Sequence, residues 1–167
     1  MRIFNGIFDR ILDLTAVLAR GTVVLIVLLV ATEIVASNIF NYSISWVLEM
    51  TEHLLLFMTF LGTSWLLKEN GHIKLDLLLN NISKKKSTVL EVINACIGFI
   101  ISIILAVSGF LATWNLYVRD VSAEAVLEIP RYLLVVIVPI GFTLLSIQFI
   151  RKIVDATREY HLQKTKV

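Results

Sequence analysis

Charged and apolar positions are segregated along this chain. No Lys or Arg occurs between Arg20 and Lys68, between Lys86 and Arg119, or between Arg131 and Arg151. Those gaps have room for two, one and one membrane-crossing helices respectively. The pattern predicts spans at about 21–37, 48–67, 92–118 and 132–150. The second of these is the segment about which the rest is arranged. Leu48 to Leu67 is twenty residues, about 30 Å of helix and about one hydrocarbon core. It opens on Trp46, Glu49 and Glu52, carries no Asp, Glu, Lys or Arg from His53 to Leu67, and closes on Lys68, Glu69 and Gly71-His72.

Helical periodicity also marks two amphipathic segments. Phe4, Ile7, Phe8, Ile11, Leu14 and Leu18 recur at helical spacing while Asp9, Arg10 and Asp13 face elsewhere, as expected of a helix lying in the interface. A plain extension of the first span is the other reading. In mid-chain, Leu75, Leu78, Leu79 and Ile82 form a second stripe, predicting a surface helix at about 73–82. The run Lys84-Lys85-Lys86 follows it. The third span is long: Val92 to Val118 holds 27 residues without a charge, about 40 Å of helix, which a bilayer accommodates by tilt. In the fourth, Pro139 removes one backbone bond and frees the carbonyl of Val135, predicting a kink with Gly141 beside it.

The composition fits this reading, with 57% hydrophobic and 17% charged residues and a mean hydropathy of +0.85. The expected fold is all-α: an integral membrane protein of four transmembrane helices in one domain, 1–167, with N-terminal and mid-chain interfacial helices. Of the 15 basic residues, alternate assignment of ends puts all but Arg119 and Arg131 on one side. By the positive-inside rule both termini are then cytoplasmic. Tyr42, Trp46, Trp114, Tyr117 and Tyr132 are expected at the outer boundary and Trp65 at the inner one. Nothing supports a nucleic-acid partner. The single Cys96 reads as a small core hydrophobe. Asp9, Arg10, Asp13 and Arg20 interrupt what would be the apolar part of a cleavable signal.

Candidate chemistry is sparse. Glu33 is the one acid within the first span, about 20 Å along the axis from Arg20. At that depth it must face other helices, water or a partner subunit. Ser45 is a candidate cap for the following helix. Glu49, Glu52 and His53 share one helical face, and Glu49 and His53 at i, i+4 can pair; interface groups satisfied by water and headgroups are the plainer reading. His53 and His72 lie about 28 Å apart along one helical run, too far to ligate one haem iron. No nucleophile with its base, phosphate loop or metal-ligand spacing is present, so no cofactor, metal or catalytic residue is expected and the chain does not read as an enzyme. One alternative function uses Glu33 as the proton carrier of an independent small transporter or channel.

An ordered set of residues resembles the small membrane subunit (DctQ-like) of tripartite ATP-independent periplasmic (TRAP) transporters. The set is Ser45-Trp46 followed by Glu49, Gly62 sixteen residues after the Trp, Gly71-His72-Ile73 with Asp76, and Pro130 followed nine residues later by Pro139-Ile140-Gly141. Departures are Glu52 where the family commonly has a basic residue, Leu48 where an acid is frequent, and Phe57 at a common Trp position. The resemblance implies a non-catalytic subunit. In such systems a periplasmic substrate-binding protein delivers an organic anion, and a large membrane subunit moves it inward with sodium. The small subunit acts as a scaffold for the large one and helps dock the binding protein. Glu33, Trp46, Glu49, Glu52, Gly62, His72, Asp76, Pro130, Pro139 and Gly141 become candidates for structural or partner contacts. His72 and Asp76, one turn apart, are expected to fix the bend after the second span. Asp120, Glu124 and Glu128 are candidates for docking. The substrate, whether a C4-dicarboxylate, a sialic acid or another carboxylate, is not legible.

Overall fold

The computed structural model describes residues 2–69, 84–119 and 129–165 of the chain. They form five helices: α1 (Arg2–Phe40), α2 (Ser45–Lys68), α3 (Lys84–Val118), the short α4 (Arg131–Val135) and α5 (Ile137–Thr165). No strand occurs among the described residues. Among the described residues three stretches are long and apolar enough to cross a membrane: Gly6–Phe40, Thr88–Val118 and Arg131–Arg158. The helix expected at 48–67 is present as α2, which at 24 residues has the length. It is nevertheless not among those three, because Glu49, Glu52, His53 and the hydroxyls of Thr51, Thr59, Thr63 and Ser64 dilute its leucines.

The N-terminal segment follows the second reading, an extension of the first span. It forms the first half of one unbroken 39-residue helix. Its buried face is Phe8, Leu12, Thr15, Ala16 and Ala19, whereas Ile7, Ile11, Leu14 and Leu18 of the expected stripe stay exposed. The buried face is set by α1 docking on the other helices. The surface helix expected at 73–82 lies outside the described residues.

Pairing of the helices sets the architecture: α1 packs on α2, α2 on α5, and α5 on α3. The long helices therefore stand in a row, α1–α2–α5–α3, with the N-terminal part of α1 also reaching α5 through Phe8 and Asp9. Consistent with this, the less exposed positions of the second half of α1 are Thr22, Ile26, Leu29, Glu33, Ala36 and Ser37, a single seam of i, i+4, i+7 spacing. Its other positions point away from the chain. Leu12, Ser64, Leu67 and Ser102 are the largest fully buried side chains, so the core is a thin line along the row.

In lipid, apolar burial between helices gains little, and association rests on close packing and hydrogen bonds between helices. The row has both. A Cβ on Gly98 would run into the ring of Phe149, and Gly109 lies under Pro139 and Val138. Ser146 Oγ is 2.9 Å from Ser102 Oγ and 2.8 Å from the carbonyl of Phe142, while Ser102 Oγ donates to the carbonyl of Phe99 at 2.9 Å. Where α2 crosses α5, Ser64 Oγ donates to the carbonyl of Gly141 at 3.4 Å, and Phe60 meets Phe142 edge to face at 5.3 Å. The kink expected at Pro139 occurs as a break at Val136, between α4 and α5. The missing Pro139 N–H leaves only a stretched Ile140-to-Val136 bond of 3.4 Å next in line.

The α2–α5 crossing depends on Gly141 having no side chain. A Cβ there would stand 2.8 Å from Phe60 Cβ and 3.0 Å from its carbonyl oxygen. Gly141→Ala is expected to cost roughly 1–3 kcal/mol, read as a lower melting temperature of the purified chain. Gly62→Ala is the control. Its new Cβ meets only Ala19 at 3.8 Å, and the change is expected to be neutral or stabilising by up to about 1 kcal/mol.

Candidate functional site

Polar groups gather at the two ends of the row, and each end has its own construction. At the end opposite the lysines, α1 stops at Asn41, whose φ of 46° is the left-handed conformation that Asn tolerates. The Tyr42 amide reaches back to the carbonyl of Ala36 at 3.3 Å. A four-residue turn (41–44) then leads into α2. Ile44 caps α2 with no side-chain bond of its own. Glu33 supplies the missing acceptor from the neighbouring helix: Oε2 accepts from the Ile44 amide at 2.8 Å, and Oε1 accepts from Ser43 Oγ at 2.9 Å. Ser45, the expected cap, is instead the first residue of the helix. A carboxylate at a helix N-terminus is favoured by the helix dipole and by the unpaired amides there.

Other candidates collect at the same end. Trp46 is 40% exposed, Glu49 and His53 are half-buried one turn apart, and Glu52 is exposed. Trp114, Tyr117 and Tyr132 form a chain of rings, with centroids 6.0 and 5.3 Å apart, tying the end of α3 to α4. Pro130 precedes α4, its carbonyl accepting from the Leu133 amide at 3.0 Å. Pro139 and Gly141 are buried and Gly62 is half-buried. These residues thus divide: Gly62, Pro139 and Gly141 lie in helix contacts, whereas Trp46 and Glu52 face outward. His72, Asp76, Asp120, Glu124 and Glu128 lie outside the described residues.

The basic end is cross-braced. Asp13 accepts from Lys68 Nζ at 2.6 Å, joining α1 to α2. Asp9 pairs with Arg151 at 2.7 Å, joining α1 to α5, and Glu91 pairs with Lys152 at 3.4 Å, joining α3 to α5. Arg151 also reaches Gln148 Oε1 at 3.2 Å and stacks 5.3 Å from the Phe8 ring. Arg20 lies 4.9 Å from the centre of the Trp65 ring. Exposed pairs contribute about 0–1 kcal/mol each, so their value is in register, one brace for each of three helix pairs. The sequence pattern assigns no contact role to Asp9, Asp13, Glu91 or Arg151. Their signal was present: acids one turn apart, at an end otherwise crowded with cations, have partners close at hand.

Among the described residues, no three His, Cys, Asp or Glu side chains converge to hold a metal. What the polar groups do is hold helices together. Removing the Glu33 side chain leaves the Ile44 amide without its acceptor. Glu33→Ala is expected to loosen the start of α2 by roughly 1–3 kcal/mol, seen as faster hydrogen exchange at Ile44 with exchange at Ser64 unchanged. Equal protection at Ile44 in both forms would contradict the clasp.

The profile of the family described as "Tripartite ATP-independent periplasmic transporters, DctQ component" matches residues 26–159. That range covers α2, α3, α4, the C-terminal part of α1 and most of α5. The C4-dicarboxylate TRAP transporter small permease protein DctQ of Pseudomonas aeruginosa is 29% identical over 118 residues, 68% of this chain and 55% of the relative. The chain thus spans about half the length of the curated relative it matches. With a helical row built of membrane-length segments and a match over most of its length, the chain belongs to the DctQ family of TRAP transporter membrane components.

Proposed function

We propose that the chain is the non-catalytic small membrane subunit of a sodium-dependent TRAP secondary transporter that imports an organic anion: a C4-dicarboxylate, a sialic acid or another carboxylate. In this reading it serves as a scaffold for the large membrane subunit and helps dock the periplasmic substrate-binding protein. It sits in the bacterial inner membrane, with α2 as a fourth crossing and both termini cytoplasmic, as the distribution of Lys and Arg indicates. The observation that carries the proposal is the open row. Helices standing side by side enclose no route for a solute among the described residues, yet they present long apolar faces on both sides. α2 completes the membrane layer because it stands between α1 and α5, which shield most of its polar groups from lipid.

Reconstitution tests the role. Vesicles holding this chain alone are expected to show no uptake, whereas the chain with a large TRAP subunit and a binding protein restores it; flux through the lone chain would refute the proposal. Glu33→Gln is expected to leave uptake intact, because the amide still accepts from Ile44 and can donate to Ser43. A proton carrier at Glu33 would be silenced by the same change.

Asp120, Glu124 and Glu128 are assigned to docking, where acids steer a basic patch on the binding protein. Reversing charge at Glu124 and Glu128 together is expected to slow uptake about tenfold or more at low salt and less at high salt. His72 and Asp76 are assigned to the bend that follows α2. His72→Ala is expected to reduce recovery of the large subunit on co-purification; undiminished recovery would remove that assignment.

A further inference from the structure

At the basic end α1 and α2 do not close on each other fully. A groove of about 400 Å³ runs between them, lined by Ala16, Ala19 and Val23 of α1 and Met58, Gly62 and Trp65 of α2, with Arg20 on its rim. It exists because Gly62 offers no side chain and its nearest neighbour across the gap is the small Ala19. The walls are apolar even where threonines line them. Thr59 Oγ1 donates to the carbonyl of Leu55 at 2.8 Å and Thr63 Oγ1 to that of Thr59 at 2.5 Å, so both hydroxyls are spent on their own helix. From Trp65 to Met58 the groove follows seven residues of α2, about 10 Å into the apolar layer.

Arg20 is the innermost cation of α1. Its guanidinium carbon lies over the Trp65 ring, 4.9 Å from the centroid. No ion pair among the described residues includes it. Asp13, the nearest acid toward the N-terminus of the same helix, lies about 10 Å further out and is taken by Lys68. Arg20 therefore lines an apolar groove with no carboxylate paired to it among the described residues. A guanidinium over an aromatic ring with no carboxylate partner is matched to a phosphate.

We propose that this groove binds one anionic glycerophospholipid, its phosphate on Arg20 beside Trp65 and one acyl chain laid along Gly62 toward Met58. Basic pockets between membrane helices take anionic headgroups in this way. A zwitterionic headgroup would bring its own ammonium up to Arg20 and lose the advantage. A partner helix fits poorly, because 10 Å of helix at its usual diameter needs about twice this volume. The proposal stands on the membrane placement alone and is independent of the scaffold role.

Native mass spectrometry of the purified full-length chain tests it, with phosphatidylglycerol and phosphatidylcholine of identical acyl chains in competition. The expected result is about fivefold preferential retention of phosphatidylglycerol. Arg20→Gln abolishes the preference while some binding of both lipids remains. Gly62→Leu, which fills the groove, lowers retention of both. A photo-crosslinking side chain at Met58, introduced in cells, captures a lipid-sized adduct whether or not the Gly62 variant folds. Equal retention of the two lipids, a Gly62→Leu variant that binds as before, or a crosslink from position 58 to another polypeptide would each overturn the proposal.

Discussion

In a bilayer, pressing one leucine against another brings no release of water, so helices adhere only where backbones approach closely or polar groups meet. The row is assembled under that constraint. Its tightest crossings are those where a residue lacks a side chain: Gly98 under Phe149, Gly109 under Pro139, and Gly141 under Phe60. Its buried hydrogen bonds sit beside them, Ser102 with Ser146 between α3 and α5, and Ser64 with the Gly141 carbonyl between α2 and α5. Large apolar side chains point outward in number, Val24, Val27 and Leu28 of α1 among them. On a soluble protein that surface would be untenable. In lipid it costs nothing.

The two ends obey different physics. Near the headgroups water competes, so the pairs Asp13–Lys68, Asp9–Arg151 and Glu91–Lys152 contribute geometry more than energy. Each connects a different pair of helices. At the opposite end Glu33 is held by two donors of the turn it faces. A carboxylate that far along a span would be costly if bare. Here it closes α1 onto α2 and completes the start of a helix that has no cap of its own. The feature that most resembled transport chemistry is thus part of the joinery.

An open row is also a functional statement. A closed bundle would satisfy its own helices, whereas a row leaves two faces for other molecules. Membership in the DctQ family sets a multi-component transporter as the context. The groove at Arg20 shows that those faces differ locally: at one place a cation and a hollow coincide.

How much was legible beforehand follows from the range of each interaction. Long uncharged runs and the one-sided distribution of Lys and Arg are properties of the chain itself, because the cost of charge in hydrocarbon acts on every residue wherever its neighbours lie. That much determined helices at 21–37, 48–67, 92–118 and 132–150, a break near Pro139, and aromatic residues such as Trp114, Tyr117 and Tyr132 together at one end. Ordered positions around Trp46, Gly62 and Pro139-Ile140-Gly141 were enough to point to the family. Only the tertiary structure decided that the helices line up as α1–α2–α5–α3, that the N-terminal segment docks by Phe8 and Leu12 instead of lying flat, and that Glu33 rather than Ser45 caps α2. Each of those depends on contacts between residues far apart along the chain, and local periodicity carries no information about which face meets which neighbour.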